Sequence, residues 1–201
     1  MSLISLDRNL FLLINGFVGK VPAFDNLIKL VVNEYFVPVT LALMLLYLWF
    51  VRSADFVPGR HREKNQEALP IAIFSTGLIA LLIAITNQLI ARDRPFDQLP
   101  TNLLFYKPTD PSFPSNAVAV GFALAVAIFL ANRKLGILAV LLASFYAFSR
   151  VYAGVHFPSD VVAGAILGVL TTLIAVRSKG LIKFSNDSIR KIQEKSHLIF
   201  D

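Results

Sequence analysis

The chain has 201 residues, of which 56% are hydrophobic and only 16% are charged. Soluble domains carry about a quarter charged residues, so this composition indicates a membrane protein and argues against a soluble enzyme. The net charge of +6 does not indicate a nucleic-acid partner, because the basic residues lie in short gaps between apolar segments. The absence of cysteine excludes disulfides and thiolate metal sites.

The first part of the chain, residues 6–33, is apolar but interrupted by Lys20, Pro22 and Asp25. We expect two short helices here, interfacial or partly buried, and the alternative is a sixth, irregular span. The first residues do not show the charged, apolar and small order of a cleaved signal peptide, so we expect none.

Five longer apolar segments follow, and each is expected to cross the membrane as a helix. They cover residues 36–51, 69–91, 116–131, 135–150 and 158–176. A span takes about 20 apolar residues, so the second and fifth are long enough and the others need flanking residues. The sequence therefore predicts an all-α, polytopic membrane helix bundle. It forms one domain over 1–201, with its core at 36–176.

Basic residues lie on one side of this predicted topology. The loop 52–66, the turn 132–134 and the tail 177–201 hold four, two and six of the 19 lysines and arginines. Cytoplasmic segments are enriched in Lys and Arg, so the C-terminus is expected to be cytoplasmic. We expect the tail to be an interfacial helix or a solvated extension. The loop 92–115, the turn 151–157 and the N-terminus then face outward.

Three polar clusters lie at span ends on the outward side: RDRPF (92–96), PSFPSNA (111–117) and SRVYAGVHFPSD (149–160). Ser115 is predicted to cap the third span, where free helix amides favour an anion, although an ordinary cap is the alternative. Arg94 and Arg150 are suited to bidentate phosphate contacts. For Arg92 the favoured interpretation is an anchor at the membrane interface.

His156 precedes Pro158, which suits the first turn of a helix. Asp160 follows four residues later, so its carboxylate can hold one imidazole nitrogen and leave the other as a nucleophile or base. The alternatives for His156 are a packed core side chain and a metal ligand. Metal binding has little support, because His61 and His197 fall on the opposite side and the spacing of Asp93, Asp97, Asp110 and Asp160 matches no known ligand pattern. We expect no metal and no cofactor.

These residues resemble the type 2 phosphatidic acid phosphatase family of membrane lipid phosphatases. The family pattern is Lys, six residues, Arg-Pro; then Pro-Ser-Gly-His; then Ser-Arg, five residues, His, three residues, Asp. The third part is complete here as Ser149, Arg150, His156 and Asp160. The similarity covers about residues 36–176. The RDRPF and SFPSN segments resemble the bacitracin-resistance branch, which dephosphorylates undecaprenyl pyrophosphate.

The resemblance implies a metal-independent phosphatase in the cell membrane, acting on a lipid phosphate or diphosphate at the outer face. It implies that His156 attacks phosphorus to form a phosphohistidine and that Asp160 orients it. It also implies a set of phosphate-binding residues at the span ends: Arg94, Ser115, Asn116, Ser149 and Arg150. The oligomeric state does not follow from the sequence.

Three positions depart from the family pattern, and at one of them Asn116 takes the place of the glycine. Asn87 occupies the lysine position, and Ala117 occupies the position of the histidine that serves the family as acid for the leaving oxygen. Ala117 is an engineered substitution, or the natural enzyme uses a substrate with an easier leaving group, or the protein binds a lipid phosphate without cleaving it. The second explanation favours an isoprenoid diphosphate. A broad lipid monophosphatase (phosphatidic acid or phosphatidylglycerol phosphate), a phosphotransferase, and a non-catalytic binder or transporter are the alternative functions.

Overall fold

The computed structural model describes residues 3–50 and 59–178. Within these residues it contains helices and no strand. The helices are α1 (Leu3–Asn15), α2 (Pro22–Val31), α3 (Phe36–Phe50), α4 (Gly59–Leu89), α5 (Pro95–Gln98), α6 (Asn116–Ala131), α7 (Arg133–Tyr152) and α8 (Pro158–Arg177).

The predicted all-α membrane bundle is confirmed, and each of the five predicted spans falls on one helix. Three of these are long and apolar enough to cross a membrane alone: Asn65–Leu89 within α4, α7 and α8. Helices α2 and α3 pass the same test as a pair bent by 55°, and α6 is a shorter apolar helix of 16 residues. The protein is therefore an integral membrane protein, and α3 combines with α2 instead of standing as a full span by itself.

The predicted loop 52–66 is partly wrong, because α4 already begins at Gly59. The segment between Gly59 and the apolar stretch is rich in Arg, Glu, Lys and Gln. These residues form helices well in water, so a polar turn can extend the spanning helix beyond the apolar part. Residues 51–58 and the tail after 178, with its predicted interfacial helix, lie outside the described residues.

Helix α6 lies at the centre of the bundle and packs against α3, α4, α7 and α8. Its contact with α8 is made by backbone, because a Cβ on Gly164 would lie 2.5 Å from the Ser115 carbonyl oxygen. A Cβ on Gly168, one turn further, would lie 2.3 Å from the Ala119 carbonyl oxygen. Small residues spaced by four allow helices to approach this closely in membranes. The contact brings the first turns of α6 and α8 together.

The N-terminal region forms two short helices, as predicted. Helix α1 packs against α7 and α8 and leaves many large apolar side chains exposed: Leu3, Ile4, Leu6, Leu10, Leu12 and Leu13. Its last residue, Asn15, is buried and donates from Nδ2 to the carbonyl oxygens of Asn102 (2.9 Å) and Tyr152 (2.8 Å). Helix α1 is thereby fixed at the end of the bundle where α7 ends and α8 begins.

Candidate active site

Three segments that are far apart in the sequence meet at one end of the bundle. They are the residues after α4, the residues before α6 and the turn between α7 and α8. Backbone hydrogen bonds join them: the Ser112 amide donates to the Arg92 carbonyl (2.9 Å), and the Ser115 amide donates to the Asp160 carbonyl (3.0 Å). The predicted gathering of the three polar clusters is therefore seen in the structure.

The turn between α7 and α8 depends on Gly154, which has a φ of +89°. A Cβ there would lie 2.5 Å from Thr101 Cγ2, so glycine is required by the backbone conformation and by space. The Val155 amide then donates back to the Arg150 carbonyl (3.1 Å). This turn directs the imidazole of His156 inward, where only 2% of the residue is exposed.

The hydrogen bonds of His156 define its tautomer. Nδ1 lies 3.0 Å from the Ser112 carbonyl oxygen, and because a carbonyl only accepts, Nδ1 carries the proton. Nε2 keeps its lone pair and lies 3.3 Å from Arg94 Nη1. Burial, followed by the positive charges of Arg150 and Arg94, lowers the pKa of His156 well below its usual value. The imidazole is therefore neutral at pH 7, as a nitrogen nucleophile must be.

The sequence predicts that Asp160 holds the imidazole directly, and the structure corrects this. Asp160 Oδ2 lies 3.9 Å from His156 Nδ1, beyond hydrogen-bonding distance. It accepts instead from Ser112 Oγ (2.6 Å) and from the Phe157 amide (2.9 Å). The reason is its position in the first turn of α8, where a carboxylate turns back to the amide before the helix. Asp160 thus holds the side chain of Ser112, and the carbonyl oxygen of Ser112 holds the imidazole of His156.

Arg92 is not the interface anchor that the sequence favours. Its Nη1 donates to Asp160 Oδ1, and its Nη2 donates to Asp7 Oδ2 at 2.7 Å. The guanidinium also lies over the Phe157 ring, 4.3 Å from the centroid. A fully buried carboxylate such as Asp160 requires a charged partner, and Arg92 is that partner.

Arg94 and Arg150 are both buried beside His156, with 3% and 2% exposure. Arg94 donates to the Asp110 carboxylate from Nη2 (2.9 Å) and to the Val155 carbonyl from Nη1 (2.9 Å). Arg150 donates from Nη1 to the Val32 carbonyl at 3.1 Å. Its Nε has no partner among the described residues. Two cations are therefore held next to the candidate nucleophile, and one has an unused donor.

Ser115 occupies the N-cap position of α6, as predicted, but its side chain makes no capping hydrogen bond. In the described part of the chain, its hydroxyl is one of three buried side-chain polar groups without a partner. The others are Arg150 Nε and Tyr146 Oη. Buried polar atoms are usually paired, so the unused groups of Ser115 and Arg150 are available to bind a polar group of a substrate.

The remaining predicted residues lie around this centre. Ser149 is buried, but its hydroxyl donates to the Tyr146 carbonyl within α7 (2.6 Å), which gives no support to a phosphate contact. Asn116 is exposed at the start of α6, and Asn87 is half-buried near the end of α4. Ala117 packs against the main core cluster. Among the described residues, no group of three or more His, Asp or Glu is placed to hold a metal.

Sequence reasoning missed Ser112 and Asp7. Ser112 is the first serine of the PSFPS segment, and it supplies both a hydroxyl for Asp160 and a carbonyl for His156. Asp7 is the one acidic residue of α1, and an acidic residue in a helix rich in leucine and isoleucine was the available signal.

Residues 68–182, more than half of the chain, match the model of the PAP2 superfamily. The chain belongs to the PAP2 superfamily. This PAP2 protein is thus a membrane lipid phosphatase, a hydrolase that acts on phosphate esters. The bacitracin transport permease protein BcrC of Bacillus licheniformis is 34% identical, over 86% of this chain and 80% of its own. The undecaprenyl-diphosphatase of Sulfolobus acidocaldarius is 32% identical, over 74% of this chain and 69% of its own.

Two solved structures are also similar. The crystal structure of Aquifex aeolicus LpxE has a TM-score of 0.64 and 28% identity, over 86% of this chain and 95% of that one. The PAP2 type phosphatidylglycerolphosphate phosphatase of Bacillus subtilis has a TM-score of 0.61 and 22% identity, over 88% of this chain and 85% of that one. The second likeness concerns the fold alone.

Proposed function

We propose that this PAP2 protein hydrolyses an isoprenoid diphosphate, such as undecaprenyl pyrophosphate, through a phosphohistidine intermediate on His156. The observation that carries the proposal is the buried, neutral imidazole, whose Nε2 keeps its lone pair beside Arg94. The substrate class is supported by the relative from Sulfolobus acidocaldarius, which is named an undecaprenyl-diphosphatase.

In the first step, His156 Nε2 attacks the terminal phosphorus of the diphosphate. The N–P bond forms as the bond from that phosphorus to the bridging oxygen breaks, and the lipid monophosphate leaves. Arg94, Arg150 and Ser115 hold the oxygens of the transferred group. Fixed positive groups of this kind provide most of the stabilisation that phosphoryl transfer needs.

In the second step, water attacks the phosphorus of the phosphohistidine and the N–P bond breaks. Inorganic phosphate leaves, and Nε2 recovers its lone pair. The proton on Nδ1 stays hydrogen-bonded to the Ser112 carbonyl throughout, so the ring keeps one orientation in both steps. The arginines and the amides of the first turn of α6 supply the positive charge, and the proposal requires no metal ion.

Ala117 supports a diphosphate over a monoester. The histidine that the family has at this position supplies a proton to the leaving oxygen, and general acids of this kind contribute about 10²–10⁴-fold. Cleavage of a diphosphate expels a phosphate monoester, which is far less basic than a lipid alkoxide. The reaction therefore loses less from the missing acid.

We further propose that the chain is a single phosphatase domain, 1–201, of the cell membrane. In this proposal the site faces outward and the C-terminus lies in the cytoplasm. The support is the distribution of Lys and Arg along the sequence, because the loop 52–66, the turn 132–134 and the tail 177–201 hold 12 of the 19. An outward site would act on lipid head groups in the outer leaflet.

The test is phosphate release by the purified, detergent-solubilised protein without added metal. Undecaprenyl pyrophosphate and phosphatidic acid are offered in parallel, and His156→Ala is the control. We expect release from the diphosphate, with loss of activity in the control. A preference for phosphatidic acid would favour a lipid monophosphatase, and release from undecaprenyl pyrophosphate that persists in His156→Ala would rule out the phosphohistidine.

The variant Ala117→His, in the same assay, separates the three explanations of this position. If the natural substrate is a diphosphate, the added acid raises hydrolysis of phosphatidic acid by a larger factor than hydrolysis of the diphosphate. If the wild-type protein releases no phosphate and the variant does, Ala117 is the change that disables the enzyme. If neither protein releases phosphate, the remaining explanation is a protein that binds a lipid phosphate without cleaving it.

A further inference from the structure

Asp7, in the N-terminal helix α1, contacts the catalytic end of the bundle through both carboxylate oxygens. Oδ1 accepts from the Ser159 amide (2.9 Å). Oδ2 accepts from the Ser159 hydroxyl (2.6 Å) and from Arg92 Nη2 (2.7 Å). The Asp7 side chain is only 10% exposed, whereas its partner Arg92 is 27% exposed, so these contacts lie at the edge of the protein surface.

Helix α8 needs a carboxylate from elsewhere at this point. Its N-cap residue is Phe157, whose side chain cannot accept a hydrogen bond, and Pro158 has no amide proton. The first free amide is that of Ser159, and Asp7 accepts from it across 152 residues of sequence. A negative charge also stabilises a helix N-terminus, so Asp7 caps α8 from α1.

Arg92 connects Asp7 to the buried carboxylate beside the nucleophile. One guanidinium nitrogen donates to Asp160 and the other donates to Asp7. The three side chains together carry one net negative charge. Asp160 Oδ2 lies 3.9 Å from His156 Nδ1, close enough for an electrostatic interaction at low dielectric although too far for a hydrogen bond.

We propose that Asp7 is a positioning residue that keeps Asp160 electrostatically available to His156. With Arg92 alone, the positive and negative charges beside the imidazole would cancel. Asp7 shares the charge of Arg92, so the group of Asp7, Arg92 and Asp160 keeps a net negative charge on the Nδ1 side of the ring, while Arg94 lies at Nε2. This negative charge stabilises the ring as it becomes positive when Nε2 bonds to phosphorus.

This inference rests on the proposed phosphohistidine chemistry and extends the site to a helix outside the segment that matches the family model, 68–182. No proton moves in it, because Nδ1 keeps its proton and Nε2 gains and then loses phosphorus.

The test is the turnover of undecaprenyl pyrophosphate by Asp7→Asn. Asparagine keeps the size and an oxygen that accepts from the Ser159 amide, and it removes the charge. We expect kcat to fall by about ten- to a hundredfold, the scale of a small misplacement at a catalytic group, with KM nearly unchanged. Asp7→Glu, which restores the charge, should recover much of the lost kcat.

The matched control is Arg8→Ala. Arg8 lies next to Asp7 in α1 and donates to Gln98 Oε1 at 2.9 Å, so it also ties α1 to the segment after α4. We expect this variant to keep the wild-type kcat. All assays are run below the lowest melting temperature of the set, so that each protein is folded.

The outcomes separate the two proposals. Wild-type turnover with an unchanged kcat in Asp7→Asn would overturn the role of Asp7 alone. Equal losses in Asp7→Asn and Arg8→Ala, or no recovery in Asp7→Glu, would show that α1 is a general structural clamp and would also overturn it. If the wild-type protein releases no phosphate, the proposed function is wrong, and the proposed role of Asp7 is wrong with it.

Discussion

A backbone carbonyl, that of Ser112, fixes the tautomer of His156, whereas the sequence assigns this task to Asp160. Asp160 acts one step further away, through the Ser112 hydroxyl. The motif with Ser149, Arg150, His156 and Asp160 picks out four side chains that the structure buries. It contains no signal for a main-chain oxygen that comes from 44 residues earlier in the chain.

The lowered pKa of His156 predicts how activity depends on pH. In the proposed mechanism the nucleophile is lost when Nε2 is protonated, so kcat/KM falls only when the pH drops through the pKa of His156 in the folded protein. Burial, Arg150 and Arg94 hold that pKa well below 6.5. We therefore expect kcat/KM for the diphosphate to show no acid-side loss from His156 between pH 7 and 6.5, and to fall at more acidic pH.

The effect of Arg94 provides the check on this interpretation. Because its charge lowers the pKa of His156, Arg94→Gln should shift the acid limb of the remaining activity to higher pH. The measurement is a pH profile of kcat/KM for both proteins. An acid limb in the wild-type enzyme at or above pH 6.5, or one that does not move in the variant, would contradict the assignment.

At the scale of elements, the contact between α6 and α8 decides where Ser115 lies relative to His156. Gly164→Ala would place a methyl group 2.5 Å from the Ser115 carbonyl oxygen, and this oxygen is backbone that moves only with α6. Such overpacking costs roughly 1–3 kcal/mol. We expect a lower melting temperature in detergent and reduced turnover.

Gly77→Ala is the control for that prediction. Gly77 lies within α4, and a Cβ there meets no atom within 4 Å. Alanine should be neutral, or should stabilise the helix by up to about 1 kcal/mol through its helix propensity. Melting temperatures that change equally in the two variants would show that α6 and α8 can accommodate the added methyl group, and would contradict the prediction.

The ends of the elements show where sequence patterns have limits. Hydropathy locates the apolar part of α4, but the helix begins earlier because polar helix formers precede that part. Helix α6 turns into α7 at Asn132, whose side chain accepts from the Leu135 amide at 3.1 Å. That short turn agrees with the predicted boundary at 132–134.

For the whole molecule, the proposed orientation gives a test that suits a chain without cysteine. Thr109 lies in the loop at the end of the bundle that holds the candidate site, and Lys134 lies at the other end of α6; both are exposed. In intact cells, an impermeant maleimide should label Thr109→Cys and should reach Lys134→Cys only after permeabilisation. Labelling of Lys134→Cys alone in intact cells would show that the orientation is the opposite of the proposed one. Labelling of both variants would contradict the proposed topology.

The sequence by itself determined the membrane class, the positions of the apolar helices and the family, because each depends on composition, hydropathy or residue spacing along the chain. It also brought together Arg94, Arg150 and His156, since span ends on one side of a membrane must meet at that surface. Ala117 could be identified as a departure because the family pattern fixes the residue expected there.

The tertiary structure alone decided how these groups are connected. Asp160 lies too far from His156 for a hydrogen bond, Arg92 pairs with carboxylates and is not a surface anchor, and Asp7 joins the site from α1. A hydrogen bond or ion pair forms or fails on a difference of a few tenths of an ångström in distance. Here such contacts join segments up to 152 residues apart in the sequence. Local patterns carry no information at that separation, so only the packed bundle reveals those contacts.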